Sequence, residues 1–170
     1  MDKQKLESIL TTLGEQVPPG SQLNILGGGA LTLLGNPRPS FDLDFVGDDV
    51  HPSELHRTIM EKAKEMGVQV DIVPIDRFIP LPDGHQERNI HVGQFANLTI
   101  HIIDPYSIAL SKVDRGLFTD YDDILFLIKS GYIVMEELEQ MLKNALPHAG
   151  KFDFHPDILA HLEELKSRLK

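Results

Sequence analysis

Residues 26–45 carry the feature that most constrains this chain, and they read LGGGALTLLGNPRPSFDLDF. Two aspartates, Asp42 and Asp44, stand two positions apart in an otherwise apolar segment. In a β-strand alternate side chains point to the same face, so the two carboxylates share one face and the apolar neighbours share the other. We therefore predict a strand over residues 41–46 whose core-facing side chains are Phe41, Leu43 and Phe45.

Two carboxylates side by side at the edge of a core favour a bound cation, because like charges held close together repel each other. Oxygen ligands that leave coordination positions open suit Mg²⁺, which binds through one or two carboxylates together with substrate phosphates. The residues alone therefore predict a magnesium–phosphate site at Asp42 and Asp44.

The composition is that of one ordinary globular chain of 170 residues, with 41% hydrophobic and 25% charged residues. It contains no cysteine, which excludes disulfides, thiolate zinc sites and cysteine nucleophiles. No leader peptide is recognisable in MDKQKLESIL, and no apolar run approaches the roughly 20 residues of a membrane helix. We expect a cytoplasmic protein with no membrane partner.

The charge balance disfavours a general nucleic-acid binder. Acidic residues outnumber basic ones by 26 to 16, which gives a formal net charge of −10. Such a chain repels a polyanion on average, although a small anionic substrate can still bind at a local metal site.

Hydrophobic periodicity and turn residues predict the order of elements along the chain. The predicted helices lie at residues 3–13, 30–34, 53–66, 105–113 and 121–129, then from about 135 and from about 156. The predicted strands lie at residues 21–26, 41–46, 68–73, 89–92 and 98–103. This order predicts an α+β fold with a mixed sheet flanked by helices. We place an α/β core at residues 1–103 and a helical part at 104–170, packed together as one unit.

The stretch from Gly27 to Asp44 resembles the nucleotidyltransferase superfamily, which has the polymerase-β-like fold. The resemblance rests on Leu26-Gly27-Gly28 followed, after a short helix, by Asp42-Leu43-Asp44. It is closest to the small bacterial branches, the minimal nucleotidyltransferases and the abortive-infection toxin-like proteins. Their approach to the aspartates is similar to Arg38, Ser40, Asp42 and Asp44 here.

The resemblance implies an enzyme that uses two Mg²⁺ ions to move a nucleoside monophosphate from a nucleoside triphosphate to a hydroxyl acceptor. Asp42 and Asp44 would hold both ions, while Asp71 would bind the ion that activates the acceptor or act as its general base. The glycines would bring backbone N–H groups close to the phosphates, and Arg38 or Lys112 would neutralise their charge, with the resemblance favouring Lys112. The nucleotide-binding residues implied in this way are Gly27, Gly28, Gly29, Arg38, Ser40 and Lys112.

Simpler interpretations of these residues stay open. A glycine triplet before a helix is also a tight packing turn, and Asp71 could be solvated at a strand edge. Arg38 and Lys112 could be ordinary surface charges or salt-bridge partners. The acidic group Asp120, Asp122 and Asp123 fits the start of a helix, where negative charge is favourable. None of the eight histidines has the spacing of a zinc site.

Two functional hypotheses follow. The first is the nucleotidyltransferase, whose acceptor could be a small molecule, a protein side chain or an RNA end. The second is a toxin–antitoxin or other partner-binding protein that keeps the fold with little or no catalysis. In that case the apolar stripes of the C-terminal helices would supply a homodimer or antitoxin-like interface.

Overall fold

The computed structural model describes residues 1–170, which divide into two compact units. The first unit comprises Met1–Ile75 and Asn89–Ile103, and the second comprises Asp76–Arg88 and Asp104–Lys170. Residues 76–88 thus belong to the second unit although they precede the last two strands of the first unit in the chain.

The first unit is built on a mixed five-stranded sheet. Its strands are β1 (Ser21–Leu26), β2 (Leu43–Val46), β3 (Val70–Val73), β4 (Ile90–Phe95) and β5 (Leu98–Ile102). The strand order is β3-β2-β1-β5-β4, in which the β2–β3 and β1–β5 pairs are parallel and the β1–β2 and β4–β5 pairs are antiparallel. The predicted α+β class and mixed sheet are confirmed.

Three helices of the first unit contact this sheet, namely α1 (Lys3–Gly14), α2 (Gly27–Leu33) and α3 (Glu54–Glu65). The apolar side of α1 is fully buried, because Leu6, Ile9, Leu10 and Leu13 recur at helical spacing. The sheet alternates in the same way, since Leu23 and Ile25 on β1 are buried whereas Gln22 and Asn24 are exposed. One face of the sheet therefore enters the core and the other carries polar side chains.

The second unit is helical. It contains α5 (Pro105–Arg115), α6 (Phe118–Lys129), α7 (Met135–Ala145) and α8 (Ile158–Arg168), preceded by the short α4 (Ile75–Phe78), which starts at the last residue of a first-unit segment. Two 3-10 turns lie at Gln86–Arg88 and Leu146–Lys151. Helix α5 contacts α6, α7 and α8. None of the helices combines the length and the apolar character needed to span a bilayer.

The start of α5 follows the predicted pattern of an aspartate cap and a proline. The Asp104 carboxylate accepts the Tyr106 N–H at 3.0 Å, and Pro105 occupies the first turn, where its missing N–H has no partner to lose. Gly116 ends the helix with a left-handed conformation, and its N–H donates to the Lys112 carbonyl at 2.8 Å.

Candidate active site

The two aspartates of the DLD motif are positioned by the start of strand β2. Leu43 and Phe45 are fully buried, while Asp44, on the opposite face, is half-buried. Asp42 comes directly before the strand and is also half-buried. The predicted strand start at residue 41 is wrong, because the hydrogen bonding of β2 begins at Leu43, whose N–H donates to the Gln69 carbonyl at 3.0 Å. Phe41 therefore does not enter the core and is 88% exposed.

Asp71 joins these two carboxylates through strand pairing. Strand β3 runs parallel to β2 with Asp71 in register with Asp44, so their side chains lie next to each other on one face of the sheet. One carboxylate oxygen from each of Asp42, Asp44 and Asp71 lies within 4.8 Å of the other two. Asp71 is exposed, and Gln69 Nε2 lies 3.5 Å from its Oδ2. The sequence predicted this group, and the structure brings all three members together.

Gly27 stands directly against the acid group. Its φ is +71°, and a methyl group placed on its Cα would lie 2.5 Å from Asp44 Oδ2. Both the backbone conformation and the space therefore require glycine at this position. The absence of a side chain leaves the first turn of α2 in close approach to the Asp44 carboxylate.

The other two glycines continue the helix rather than forming a separate turn. Helix α2 starts at Gly27, not at residue 30 as the sequence suggested, because the extended Leu26 already acts as its N-cap residue. A methyl group at Gly28 would lie 3.2 Å from Ser40 Oγ, and one at Gly29 would lie 3.5 Å from the Asp42 carbonyl oxygen. Small residues thus let α2 approach the segment that leads into the acid group.

Ser40 and Arg38 belong to that segment. Ser40 is buried, and its hydroxyl donates to the Asp42 carbonyl at 2.6 Å, which fixes the turn just before β2. Arg38 is half-buried, and its carbonyl accepts the Thr32 hydroxyl of α2 at 3.4 Å. The structure therefore places Ser40 and Arg38 in the same unit as the three aspartates. Their contact with a nucleotide stays a prediction.

Lys112 lies in the second unit, in a buried ionic cluster. Its ammonium donates to Asp123 Oδ2 at 2.8 Å and lies 3.5 Å from Asp120 Oδ1. Arg115 donates to both oxygens of Asp120, at 2.8 and 2.6 Å, and Asp120 also accepts the Leu117 N–H at 3.1 Å. A contact between Lys112 and a triphosphate would compete with these ion pairs.

The pKa of Asp120 reflects opposing influences. Burial raises this pKa, but the hydrogen bonds from Arg115, the positive charge of Lys112 and the Leu117 N–H outweigh it and hold the pKa below its ordinary value. Asp120 stands in the first turn of α6, as the helix-start interpretation implied. That interpretation was incomplete, because Asp120 and Asp123 are buried and paired.

No histidine belongs to the group of potential metal ligands that converges in the structure. His91 and His101 face each other across β4 and β5 with ring centroids 5.2 Å apart, and no third ligand accompanies them. Asp42, Asp44 and Asp71 are the group whose ligand atoms converge.

Sequence pattern did not predict one group of polar residues. Arg88, Asp104, Tyr106 and Glu137 are linked by hydrogen bonds in the second unit, although up to 49 positions separate them in the chain. Of these four residues, only Asp104 had a role predicted from the sequence, as the cap of a helix. Tertiary structure alone brings the others together.

The sheet, the glycines at the start of α2 and the three aspartates together define a nucleotidyltransferase-like protein. The family described as "Nucleotidyltransferase of unknown function (DUF6036)" matches residues 4–155, and the chain belongs to this family. The predicted superfamily is thereby confirmed, while the bacterial branch stays a prediction. No curated protein matches the chain.

The fold also resembles that of a solved structure. The crystal structure of an antigenic nucleotidyltransferase-like protein from Paracoccidioides brasiliensis aligns over 96% of this chain and 94% of its own, with a TM-score of 0.50 and 16% identity. At this identity the similarity supports the fold and no particular residue role.

Proposed function

We propose that the protein is a Mg²⁺-dependent enzyme that transfers a nucleoside monophosphate from a nucleoside triphosphate to a hydroxyl acceptor. The observation that carries this proposal is the convergence of Asp42, Asp44 and Asp71, whose oxygens lie within 4.8 Å of one another beside Gly27. Membership of a nucleotidyltransferase family supports the same class of reaction.

The donor set fits Mg²⁺. All three side chains offer carboxylate oxygens, which are the ligands this ion prefers, and no nitrogen or sulfur ligand joins them. Asp42 and Asp44 would hold up to two ions, with Asp71 completing the site of the ion nearer the acceptor. Bound Mg²⁺ would stabilise the negative charge that develops on the phosphate oxygens during transfer.

The side chains and backbone of this unit would then orient the substrate. The first turn of α2 can approach the phosphates closely because Gly27, Gly28 and Gly29 have no side chains. Arg38, on the loop that leads into Asp42, would neutralise part of the triphosphate charge. Ser40 would act mainly by holding the Asp42 backbone through its 2.6 Å hydrogen bond.

The transfer would be an in-line displacement at the α-phosphorus of the triphosphate. The acceptor hydroxyl oxygen forms a bond to the α-phosphorus, and the bond between that phosphorus and the bridging oxygen breaks. Pyrophosphate leaves with the bonding electrons. The hydroxyl proton passes to a carboxylate oxygen of Asp71, which is exposed and can receive it.

A thermal-shift screen of the four ribonucleoside triphosphates, with and without Mg²⁺, tests this proposal. A ligand at 100 times its Kd stabilises the folded state by about 2.7 kcal/mol, which the screen resolves. We expect at least one triphosphate to stabilise the wild type in the presence of Mg²⁺ and to leave Asp44→Asn unchanged. Asp122→Asn, the same replacement at an exposed position of α6, is the matched control and should behave as the wild type.

Two results would contradict the proposal. One is the absence of stabilisation by any triphosphate with Mg²⁺. The other is equal stabilisation of the wild type and Asp44→Asn. The alternative, a toxin–antitoxin or other partner-binding protein, stays a prediction. Native mass measurement would favour it if the chain formed a stable oligomer that ignored both nucleotide and Mg²⁺.

A further inference from the structure

A separate cavity lies within the second unit. Its volume is about 590 Å³, within the range of small-molecule sites, and residues 80–83, α5 and α7 contribute to its walls. None of the three converging aspartates lines it. Any ligand of this cavity would therefore be recognised by other side chains.

A hydrogen bond within the protein fixes the position of the Glu137 carboxylate in this cavity. The Tyr106 hydroxyl donates to Glu137 Oε2 and accepts the Val134 N–H at 3.0 Å. Burial raises the pKa of Tyr106, and the bond to Glu137 raises it further, so the hydroxyl stays protonated as a donor. Glu137 Oε1 makes no hydrogen bond within the protein, and Oε2 keeps a second lone pair. The carboxylate can therefore accept two more hydrogen bonds.

The arginine of the cavity is already neutralised. Arg88 Nε and Nη2 donate to the two oxygens of Asp104, each at 2.8 Å, and Nη1 donates to the Asp83 carbonyl at 2.8 Å. The guanidinium also lies 5.4 Å from the centre of the Tyr106 ring. The two other carboxylates of the lining, Asp83 and Glu137, oppose the binding of a phosphate, and His148 is the one basic side chain there besides Arg88.

The rest of the lining combines apolar walls, one amide pair and the imidazole of His148. Pro80, Pro82 and Met141 supply apolar surface suited to the faces of a planar ring. Gln140 Nε2 donates to Asn144 Oδ1 at 2.9 Å, which leaves the Gln140 carbonyl and the Asn144 amide N–H groups able to bond a ligand. These features suit an uncharged planar heterocycle with hydrogen-bonding edges.

We propose that this cavity binds the guanine base of an uncharged nucleoside. Guanine is planar and presents two neighbouring N–H donors, N1–H and the 2-amino group, which match the accepting capacity of the Glu137 carboxylate. Its opposite edge carries acceptors, which are complementary to the N–H donors of the Asn144 amide in the same lining. Adenine lacks this pair of neighbouring donors, and hypoxanthine lacks the 2-amino group.

Titration of guanosine into the full chain without Mg²⁺, followed by NMR or calorimetry, tests this inference. We expect guanosine to bind, inosine to bind more weakly and adenosine not to bind measurably. Glu137→Gln should weaken guanosine binding by about tenfold or more, the usual effect of losing a bidentate base contact. Glu136→Gln, at the neighbouring exposed position of α7, is the matched control and should keep the affinity.

The inference is overturned if guanosine does not bind at millimolar concentration, or if Glu137→Gln binds it as tightly as the wild type. Because Glu137 is an exposed residue, its replacement should leave the fold intact, which circular dichroism would verify. Asp44→Asn should retain guanosine binding. The guanosine titration can therefore fail without contradicting the proposed transfer reaction, and the transfer reaction can fail without contradicting guanosine binding.

Discussion

Two acidic groups of this chain look alike in sequence and differ in the folded protein. Asp42 and Asp44 converge with Asp71 in the first unit, and neither Asp42 nor Asp71 forms a salt bridge. Asp120 and Asp123 in the second unit are fully buried and pair with Lys112 and Arg115. The second group pairs with basic side chains of the chain itself, whereas we propose that the first group binds a cation from outside.

The same replacement of Asp by Asn should therefore change the free energy of unfolding differently in the two groups. The largest effect is expected for Asp123→Asn, which leaves the buried Lys112 ammonium without its 2.8 Å partner. Breaking a buried ion pair costs about 3–5 kcal/mol, and urea denaturation should show a loss of this size. Asp122→Asn on the same helix is exposed and should change stability by less than about 0.5 kcal/mol. Equal effects of the two variants would contradict a structural role for the cluster.

A smaller effect is expected at the glycine that contacts Asp44. Gly27→Ala forces a side chain into the left-handed region, which costs about 1–2 kcal/mol, and its methyl group meets Asp44 Oδ2. Gly131→Ala is the matched control, because its φ is +80° and nothing lies within 4 Å of the added methyl group. Gly27→Ala should lose at least as much stability in thermal unfolding as Gly131→Ala, because it adds a steric contact to the same backbone strain, and only Gly27→Ala should weaken Mg²⁺-dependent triphosphate binding. Equal triphosphate binding by the two variants would show that Gly27 is not part of the binding site.

The buried cluster should also make the protein sensitive to acid. Because the pKa of Asp120 is lower in the folded than in the unfolded state, the unfolded state binds a proton more readily as the pH falls. The contribution of Asp120 is complete above the ordinary carboxyl pKa and is lost as the pH drops through the folded-state value. One such group changes the free energy of unfolding by at most about 1.4 kcal/mol per pH unit. Denaturation between pH 2 and 6 should show this decline in the wild type and a weaker one in Asp120→Asn.

The smallest effect is expected for Asp42→Asn measured without metal. This replacement removes one of three converging charges and leaves the shape of the side chain unchanged. Relief of repulsion should leave stability unchanged or raise it by up to about 1 kcal/mol, at the same time as it weakens the response to Mg²⁺. A clear loss of stability in the absence of Mg²⁺ would show that Asp42 already has a structural partner.

The candidate site was easier to predict from sequence than its surroundings, because two of its parts, the glycines and the DLD motif, are close together in the chain. Gly27 and Asp44 lie on consecutive elements, and Asp71 follows from the pairing of β3 with β2. The start of β2 was misplaced because Phe41 continues the apolar alternation although the strand hydrogen bonds begin two residues later. Hydrophobic pattern reports which side chains would fit a core, not where strand pairing starts.

The second unit shows what sequence cannot supply. The burial of Lys112 depends on how α5 and α6 pack, and one sequence contains no spacing that reveals it. Likewise the bidentate contact of Arg88 with Asp104 joins a turn to a helix cap 16 positions away. Ionic contacts between such distant residues follow from tertiary structure alone.

The claim that Asp42, Asp44 and Asp71 together form a divalent-cation site is tested most directly with Mn²⁺ as a spectroscopic probe. Electron paramagnetic resonance would follow Mn²⁺ binding to the wild type and to Asp44→Asn, in the presence of the triphosphate selected by the thermal-shift screen. We predict that the wild type binds Mn²⁺, that Mg²⁺ displaces it, and that Asp44→Asn loses this binding. Equal binding of Mn²⁺ by the wild type and Asp44→Asn would show that Asp44 is not a ligand of the cation.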